Sequence, residues 1–186
     1  MTEVSSLTGR LLVAAPALTD PNFDRAVVLL LDHDEEGSLG VVLNRPTPVG
    51  VGDVLAPWAA LTGEPDVVFQ GGPVSLESAL GVAVIPGSEG PLGWRRVHGA
   101  IGLVDLETPP ELLGPALGSL RIFAGYAGWG PGQLERELKE GAWYVVESEP
   151  GDVSAPHPER LWRAVLRRQR SELAMIATYA DDPSLN

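Results

Sequence analysis

In the stretch Gly125-Tyr126-Ala127-Gly128-Trp129-Gly130-Pro131-Gly132-Gln133-Leu134, an apolar run gives way to glycines and then to a helical pattern. Glycines permit backbone conformations that a Cβ atom forbids, and they let another backbone or a ligand approach closely. A strand followed by glycines and a helix also presents backbone N–H groups and the positive end of the helix to an anion. Two interpretations follow. Either Gly128 and Trp129 contact a ligand, with the indole as a stacking wall, or the stretch is a tight turn with Trp129 in the core.

Two other stretches also contain glycine and proline next to apolar runs. Gln70-Gly71-Gly72-Pro73-Val74 follows a short apolar run, and Gly71 and Gly72 there are compatible with an anion-binding nest of N–H groups or with a plain turn. The third stretch closes a hairpin: an apolar strand over 26–31 is followed by a polar turn and by a returning strand over 39–43. A parallel return would need a longer connection, so the pair is predicted to be antiparallel.

The remaining pattern predicts a sheet with few helices. Further strands are predicted over 9–15, 67–70, 80–85, 95–98, 101–106, 120–126 and 142–147, and helices over 51–61, 109–118, 131–140 and 159–177. The strands lie mostly in adjacent hairpins and do not alternate regularly with helices. We therefore expect an α+β fold with a mainly antiparallel, partly barrel-like sheet and about four flanking helices. The length favours one domain over residues 1–186.

Composition excludes several classes of protein. The net charge of −12 argues against a surface that attracts nucleic acid generally, because phosphate neutralisation supplies most non-specific affinity. The absence of cysteine excludes a thiol nucleophile, a disulfide framework and a Cys-based zinc site. No apolar run approaches the roughly 20 residues that span a bilayer. Residues 1–4 lack the features of a signal peptide, so we expect no membrane association and a cytoplasmic location.

Basic residues are concentrated in one segment. Five of the thirteen lysines and arginines lie between residues 160 and 170, among them Arg163, Arg167 and Arg168. If nucleic acid or an acidic partner binds, we expect it to bind through these side chains. The alternative is that they neutralise the protein's own acidic surface.

Familiar catalytic and metal-binding patterns are absent from the sequence. There is no G-x-S-x-G, no phosphate-binding P-loop and no H-E-x-x-H, and Lys139 is the single lysine. His33, His98 and His157 have no metal-ligand spacing. The acidic turn after residue 31 begins like a calcium loop, but Leu43 stands where a bidentate glutamate is needed. We therefore expect no metal and no cofactor, and we assign no catalytic residue.

Two arginines near strand ends are candidates for anion recognition. Arg25 precedes the buried strand over 26–31, and Asn44-Arg45-Pro46 follows the returning strand. A guanidinium group offers a planar fork of donors that matches a carboxylate or a phosphate. The alternative for each arginine is an ion pair with one of the 25 acidic residues of the chain.

Several motifs together resemble those of a known family. They are Leu11-Leu12-Val13-Ala14-Ala15-Pro16, Asp20-Pro21-Asn22-Phe23, His33-Asp34-Glu35-Glu36-Gly37, Gly40-Val41-Val42-Leu43-Asn44-Arg45-Pro46, Gly71-Gly72-Pro73-Val74, Gly125-Tyr126-Ala127-Gly128-Trp129, Gly132-Gln133-Leu134-Glu135 and Ala142-Trp143. Over roughly residues 9–147 the chain resembles the bacterial YqgE/AlgH family, also called UPF0301 or DUF179. The resemblance implies one α+β domain around a mixed, partly barrel-like sheet, with no known cofactor and no established catalytic residues. Some members of the family bear the name of a transcriptional regulator.

Three functions remain open from the sequence. The first is a non-enzymatic cytoplasmic module that binds a small anionic ligand or a protein partner through Arg25, Asn44, Arg45, Gly71, Gly72, Gly128 and Trp129. The second is a DNA-associated regulator that uses the arginines of residues 160–170. The third is a hydrolase in which Asp24, Asp32 or Asp53 activates a water molecule. The sequence leaves the oligomeric state open.

Overall fold

A curved, mainly antiparallel sheet dominates the computed structural model, which describes residues 6–87, 90–170 and 172–178. Its strands are β1 Leu11–Ala14, β2 Val27–Asp34, β3 Gly37–Val42, β4 Pro46–Gly50, β5 Val67–Gln70, β6 Val74–Val84, β7 Trp94–His98, β8 Ile101–Val104, β9 Ser119–Trp129 and β10 Trp143–Val146. The α-helices of the described residues are α1 Val51–Val54, α2 Gln133–Lys139, α3 Leu161–Arg167 and α4 Leu173–Ile176.

The long strand β9 organises the sheet. The main path is β10-β1-β2-β3-β9-β6-β8-β7 with antiparallel neighbours, while β5 joins β9 in parallel and β4 joins β5. The first part of β9 pairs with β6, and its last residues pair with β3 in the register Ser38↔Trp129. The α+β class and the half-barrel sheet predicted from the sequence are confirmed.

Strand β2 is covered on both faces of the sheet. Its first five residues are all buried, because both faces of the sheet are covered. On one face Val27 and Leu29 belong to a core cluster that includes Trp162 and Val165 of α3. On the other face Val28 packs in a cluster with residues of α2, β9 and β10. The continuous apolar run is therefore the pattern expected of a strand buried on both sides.

The predicted strand bounds are wrong mainly where the sequence contains glycine or proline. Strand β9 continues past Gly125 and Gly128 to Trp129, beyond its predicted end at Tyr126, and the turn follows it, where the Gln133 N–H donates to the Gly130 carbonyl at 3.0 Å. Strand β6 begins at Val74, six residues before the predicted start. Strand β4 was not predicted because Pro46 and Pro48 lie within it. It pairs only with β5, and an edge position tolerates residues that lack an N–H donor.

All four predicted helices are shorter, divided or absent, and the one predicted over 131–140 is nearest to the structure, as α2 Gln133–Lys139. The helix predicted over 109–118 is wrong, since that segment holds two 3-10 turns, Pro110–Leu112 and Gly114–Ala116. The helix predicted over 51–61 ends at Val54, and a 3-10 segment that contains Pro57 follows it. The helix predicted over 159–177 is divided into α3 and α4, and its predicted stop at residues 181–183 lies outside the described residues. No helix in the described ranges is long and apolar enough to cross a membrane.

Candidate functional site

The turn before β2 carries Arg25 in an unusual backbone conformation. Its φ angle is +57°, a value that side chains other than glycine rarely adopt. Asn44 holds this turn in place through both ends of its amide group. Its Nδ2 donates to the Arg25 carbonyl at 2.8 Å, and its Oδ1 accepts from the Val27 N–H at 3.0 Å. Asn44 therefore positions the backbone of Arg25, because both ends of its amide group are hydrogen-bonded to main-chain atoms.

Arg45 lies immediately after Asn44 and faces the same turn. Its guanidinium donates to the Asp24 carbonyl, and its own carbonyl accepts from the Gln70 N–H at 2.8 Å. Partial burial lowers the pKa of Arg45, and the Asp24 carboxylate opposes that shift. The side chain is thus a cation held in a partly desolvated position, where its interaction with an anion is stronger than in water.

Arg25, Asn44 and Arg45 line one pocket of about 240 Å³ together with three residues from the start of α3 and the turn before it: Glu159, Trp162 and Arg163. Trp162 is 3% exposed, and its indole N–H donates to the Ala14 carbonyl at 2.9 Å. The Arg25 guanidinium carbon lies 4.1 Å from the centre of the indole ring, and that of Arg163 lies 5.5 Å away. Three arginines and one carboxylate among the lining residues make this an electropositive pocket in an acidic protein. We call it the arginine pocket.

A smaller pocket of about 140 Å³ shares Arg45 with the arginine pocket. Its other polar lining side chains are the amides of Asn22 and Gln70, and Gly72 contributes backbone. The Asn22 N–H is held by the Asp20 carboxylate at 2.9 Å, which fixes the loop on this side. Arg45 is therefore reached from two adjoining pockets, one rich in arginine and one rich in amides.

The stretch that contains Gly71 and Gly72 packs against the stretch that contains Gly125. A Cβ added to Gly72 would lie 2.2 Å from the carbonyl carbon and oxygen of Tyr126, and one added to Gly125 would lie 2.7 Å from the Gly72 oxygen. The Gly71 N–H donates to the Ala124 carbonyl at 2.8 Å. Gly71 and Gly72 therefore allow two backbones to cross. Gly72 also forms part of the lining of the smaller pocket.

Trp129 and Gly128 do not line the arginine pocket. Trp129 is 5% exposed and packs against the rings of Phe23 and Trp143, at centroid distances of 6.2 and 6.1 Å. Its indole N–H donates to Glu137 Oε1 at 3.1 Å. Gly128 is exposed on β9, opposite Leu39. The structure thus favours the interpretation in which Trp129 is a core residue, and we leave both residues out of the proposed site.

The arginines of residues 160–170 have different roles. Arg168 binds both Asp152 oxygens at 2.6 and 2.7 Å and Glu149 at 3.2 Å, and the bond to Asp152 raises the pKa of Arg168. Arg163 lines the arginine pocket, and its guanidinium donates to the Ala177 carbonyl. Arg167 is exposed. The three side chains therefore have different surroundings: an ion pair for Arg168, the arginine pocket for Arg163 and solvent for Arg167.

The candidate acids of the hydrolase hypothesis lie on separate elements. Asp32 is exposed on β2, Asp53 is exposed on α1, and Asp24 is partly buried beside Arg45. Within residues 6–87, 90–170 and 172–178, no group of three or more histidine, aspartate or glutamate side chains is arranged to hold a metal ion.

Arg121 is a buried cation that the sequence did not distinguish. It is 3% exposed, and burial lowers its pKa to about 10, so the guanidinium stays protonated at neutral pH. It donates to the carbonyls of Ala155 and Glu64 at 3.1 and 3.2 Å and lies 4.3 Å from the centre of the Phe69 ring. Its bonds tie two loops to the sheet, which is a structural role.

Comparison with known proteins identifies the family. The model of the AlgH-like family matches residues 11–174. The chain belongs to the AlgH-like family. A UPF0301 protein of Streptomyces coelicolor is 83% identical over 190 residues, covering 100% of this chain and 98% of that one. A UPF0301 protein of Streptomyces avermitilis is 85% identical over the same length and coverage. The resemblance stated from the motifs is confirmed.

Two solved structures share the fold of this chain. A crystal structure of a Corynebacterium diphtheriae protein superposes with a TM-score of 0.89 at 33% identity, covering 96% of this chain and 95% of that one. The solution structure of the AlgH protein from Pseudomonas aeruginosa gives a TM-score of 0.69 at 27% identity, covering 97% and 98%. The half-barrel architecture of this chain is therefore similar to that of both proteins.

Proposed function

We propose that this AlgH-like protein is a cytoplasmic binding module whose arginine pocket recognises a small anionic ligand that carries a carboxylate or a phosphate. The observation that carries the proposal is the convergence of Arg25, Arg45 and Arg163 on one pocket, although they come from segments far apart in the sequence. A chain with a net charge of −12 has an electropositive pocket only where arginines are brought together.

The chemistry of the lining suits an anion with several oxygen atoms. Guanidinium groups form paired, charge-assisted hydrogen bonds to carboxylate and phosphate oxygens. Trp162 supports two of the guanidinium groups from its ring face, and such contacts contribute about 0.5–2 kcal/mol each. Asn44 and the Asp24 carbonyl restrain Arg25 and Arg45, so part of the ordering cost of binding is met in the free protein.

The size of the pocket limits the ligand. Pockets for drug-sized molecules have volumes of roughly 300–1,000 Å³, and the arginine pocket is smaller, at about 240 Å³. A ligand that extends past Arg45 would reach the smaller pocket and its amide side chains, Asn22 and Gln70. We therefore favour a compact anion as the ligand. If the ligand also carries a neutral polar group, the smaller pocket would bind that group.

A protein partner is the second candidate for this pocket. An acidic side chain or a chain-terminal carboxylate has the same chemistry as a small carboxylate, and the arginines would bind it in the same way. A small ligand is the better match because the lining residues enclose a pocket, whereas a protein partner would also need a wider contact surface.

Thermal unfolding with a panel of anions tests this proposal. Phosphate, pyrophosphate, citrate and mononucleotides are compared with sodium chloride at equal ionic strength. A ligand of the folded state at 100 times its Kd stabilises by about 2.7 kcal/mol. For a chain of this length, that energy corresponds to a rise in Tm of roughly 5–11 °C.

Two variants and a matched control locate the effect. Arg45→Met and Arg25→Met keep much of the side-chain length but remove the charge, and we expect each to abolish most of the anion-dependent rise. Arg167→Met makes the same change at an exposed position of α3 outside the arginine pocket, and it should leave the rise unchanged. A panel in which no anion exceeds sodium chloride, or a rise that survives Arg45→Met, would contradict the proposal.

A further inference from the structure

A serine, a histidine and a glutamate outside the arginine pocket lie in a chain of polar contacts. His33 on β2 is opposite Ser38 on β3, and its Nδ1 is 2.6 Å from the Ser38 Oγ. The other ring nitrogen, Nε2, is 3.6 Å from Glu135 Oε1 on α2. The His33 side chain is only 2% exposed, whereas that of Glu135 is 42% exposed. The three residues thus join a buried imidazole to a serine on one side and a carboxylate on the other.

The glycine stretch brings these residues together. Trp129 pairs with Ser38 at the end of β9, and the chain reaches α2 within four residues. Gly130 donates its N–H to the Gln133 side chain at 3.0 Å, which restrains the connection between β9 and α2. A side chain at Gly37 would place its Cβ 2.3 Å from the Trp129 oxygen, so the hairpin approaches this connection as closely as glycine allows.

The order of the contacts is that of an activated nucleophile. In the His33 tautomer that carries its proton on Nε2, that proton faces the Glu135 carboxylate, and Nδ1 is the acceptor for the Ser38 hydroxyl proton. A serine bonded to an imidazole with a carboxylate beside the other ring nitrogen is the general arrangement of serine nucleophiles on unrelated folds, and here Nδ1 and Nε2 exchange their usual roles. Ser38 here lies in a hairpin and not in a strand-to-helix elbow, which explains the absence of G-x-S-x-G.

Ser38 is also among the residues that line an open pocket of about 220 Å³. The same pocket is lined by three exposed acids, Asp32, Asp34 and Glu36. These carboxylates repel anions and attract cations, so this acidic pocket and the arginine pocket suit ligands of opposite charge.

We propose that Ser38 is a catalytic nucleophile that hydrolyses esters carrying a positive charge, with His33 as the general base and Glu135 as a positioning residue. The Ser38 oxygen forms a bond to the ester carbonyl carbon as its proton passes to His33 Nδ1. The bond from that carbon to the alcohol oxygen then breaks, and the alcohol leaves with the proton from Nδ1. Water attacks the acyl-serine, its proton passes through Nδ1 to the Ser38 oxygen, and the carboxylic acid is released.

Two esters that differ in charge test the activity and its substrate class. The 4-nitrophenyl esters of butyrate and of 4-(trimethylammonio)butyrate release the same chromophore. We expect an acyl adduct on the Ser38 peptide by mass spectrometry with both. The cationic ester should react about tenfold faster at low salt, as expected for electrostatic steering, and this advantage should shrink at 0.5 M sodium chloride.

Variants separate catalysis from structure. Ser38→Ala should abolish the adduct, and His33→Gln should lower its rate by at least about 100-fold. Glu135→Gln should slow acylation while Glu135→Asp restores part of the rate, an order that a purely structural role of Glu135 would not produce. Ser78→Ala changes an exposed serine away from the acidic pocket and should leave the rate unchanged.

Labelling of the wild-type protein keeps the proposal testable if a buried substitution prevents folding. A neutral fluorophosphonate should modify Ser38, and the modified peptide identifies the residue without any variant. Absence of a Ser38 adduct with both esters and with the fluorophosphonate would overturn the proposal. Equal acylation rates in Glu135→Gln and wild type would overturn the role of Glu135.

Discussion

Substitution of Gly72 by alanine is the sharpest test of how the two glycine stretches meet. The added carbon would lie 2.2 Å from the carbonyl carbon and oxygen of Tyr126 and 2.4 Å from the Ala127 nitrogen. Ordinary carbon contacts lie at about 3.5–4.0 Å, so the overlap with the backbone exceeds 1 Å. Tyr126 is paired with β6 and Ala127 with β3, so β9 is held from both sides and cannot move aside freely.

The expected cost follows from that overlap. Extra carbon atoms in a well-packed core typically cost 1–3 kcal/mol when side chains can adjust. Here the opposing atoms are backbone, and we therefore expect Gly72→Ala to lower the free energy of unfolding by about 3 kcal/mol or more. For a chain of 186 residues this corresponds to a fall in Tm of roughly 6–12 °C.

Urea denaturation and thermal unfolding of two variants measure the effect. Gly63→Ala is the matched control, because no atom beyond the two adjacent residues lies within 4 Å of the Cβ that would be added there. We expect that control to change the free energy of unfolding by less than about 1 kcal/mol, with any gain coming from a less flexible unfolded chain. A Gly72→Ala variant as stable as the control would refute the close crossing. Normal stability combined with loss of anion binding would instead assign the Gly72 backbone to the ligand.

Three further outcomes follow from the contacts described above. Asn44→Ala leaves the Val27 N–H and the Arg25 carbonyl without their partner, and urea denaturation should show a loss of about 2–3 kcal/mol together with weaker anion-dependent stabilisation. Asp152→Asn disrupts the paired bonds to Arg168 and should cost roughly 3 kcal/mol by the same assay, whereas an unchanged unfolding midpoint would contradict the importance of that pair. The wild-type protein should give no mobility shift of duplex DNA even at low salt, and a shift that Arg167→Glu abolishes would contradict this expectation.

Sequence reasoning succeeded where the physical cause is local. The run over 26–31 is apolar because both faces of β2 are buried, and that pattern is visible without knowledge of the partners. The failures arise where distant pairing overrides local preference. Glycines favour a turn, yet β9 continues through this stretch: Gly128 pairs with Leu39 of β3, and Gly125, at a φ of +73°, lies where the pairing with β6 is irregular. Pro46 excludes a central strand but is compatible with the edge strand β4.

The candidate site was predicted only in part, for the same reason. Arg25 and Arg45 stood out because they flank strands, and the structure brings them together in one pocket. Trp162 completes the pocket, but its sequence context is the apolar stripe of a helix, which predicts only that it is buried. The packing of α3 against the sheet places Trp162 and Arg163 beside Arg25, and no short-range pattern in the sequence encodes that contact.

The location of a bound anion is the most direct test of the proposed function. A ¹H–¹⁵N correlation spectrum of the assigned protein, titrated with pyrophosphate and separately with citrate, measures this location residue by residue. The account predicts saturable shifts that are largest at Arg25, Arg45, Arg163 and the Trp162 indole, with none at Arg167. Saturable shifts centred elsewhere, or no saturable shift with either anion, would contradict it.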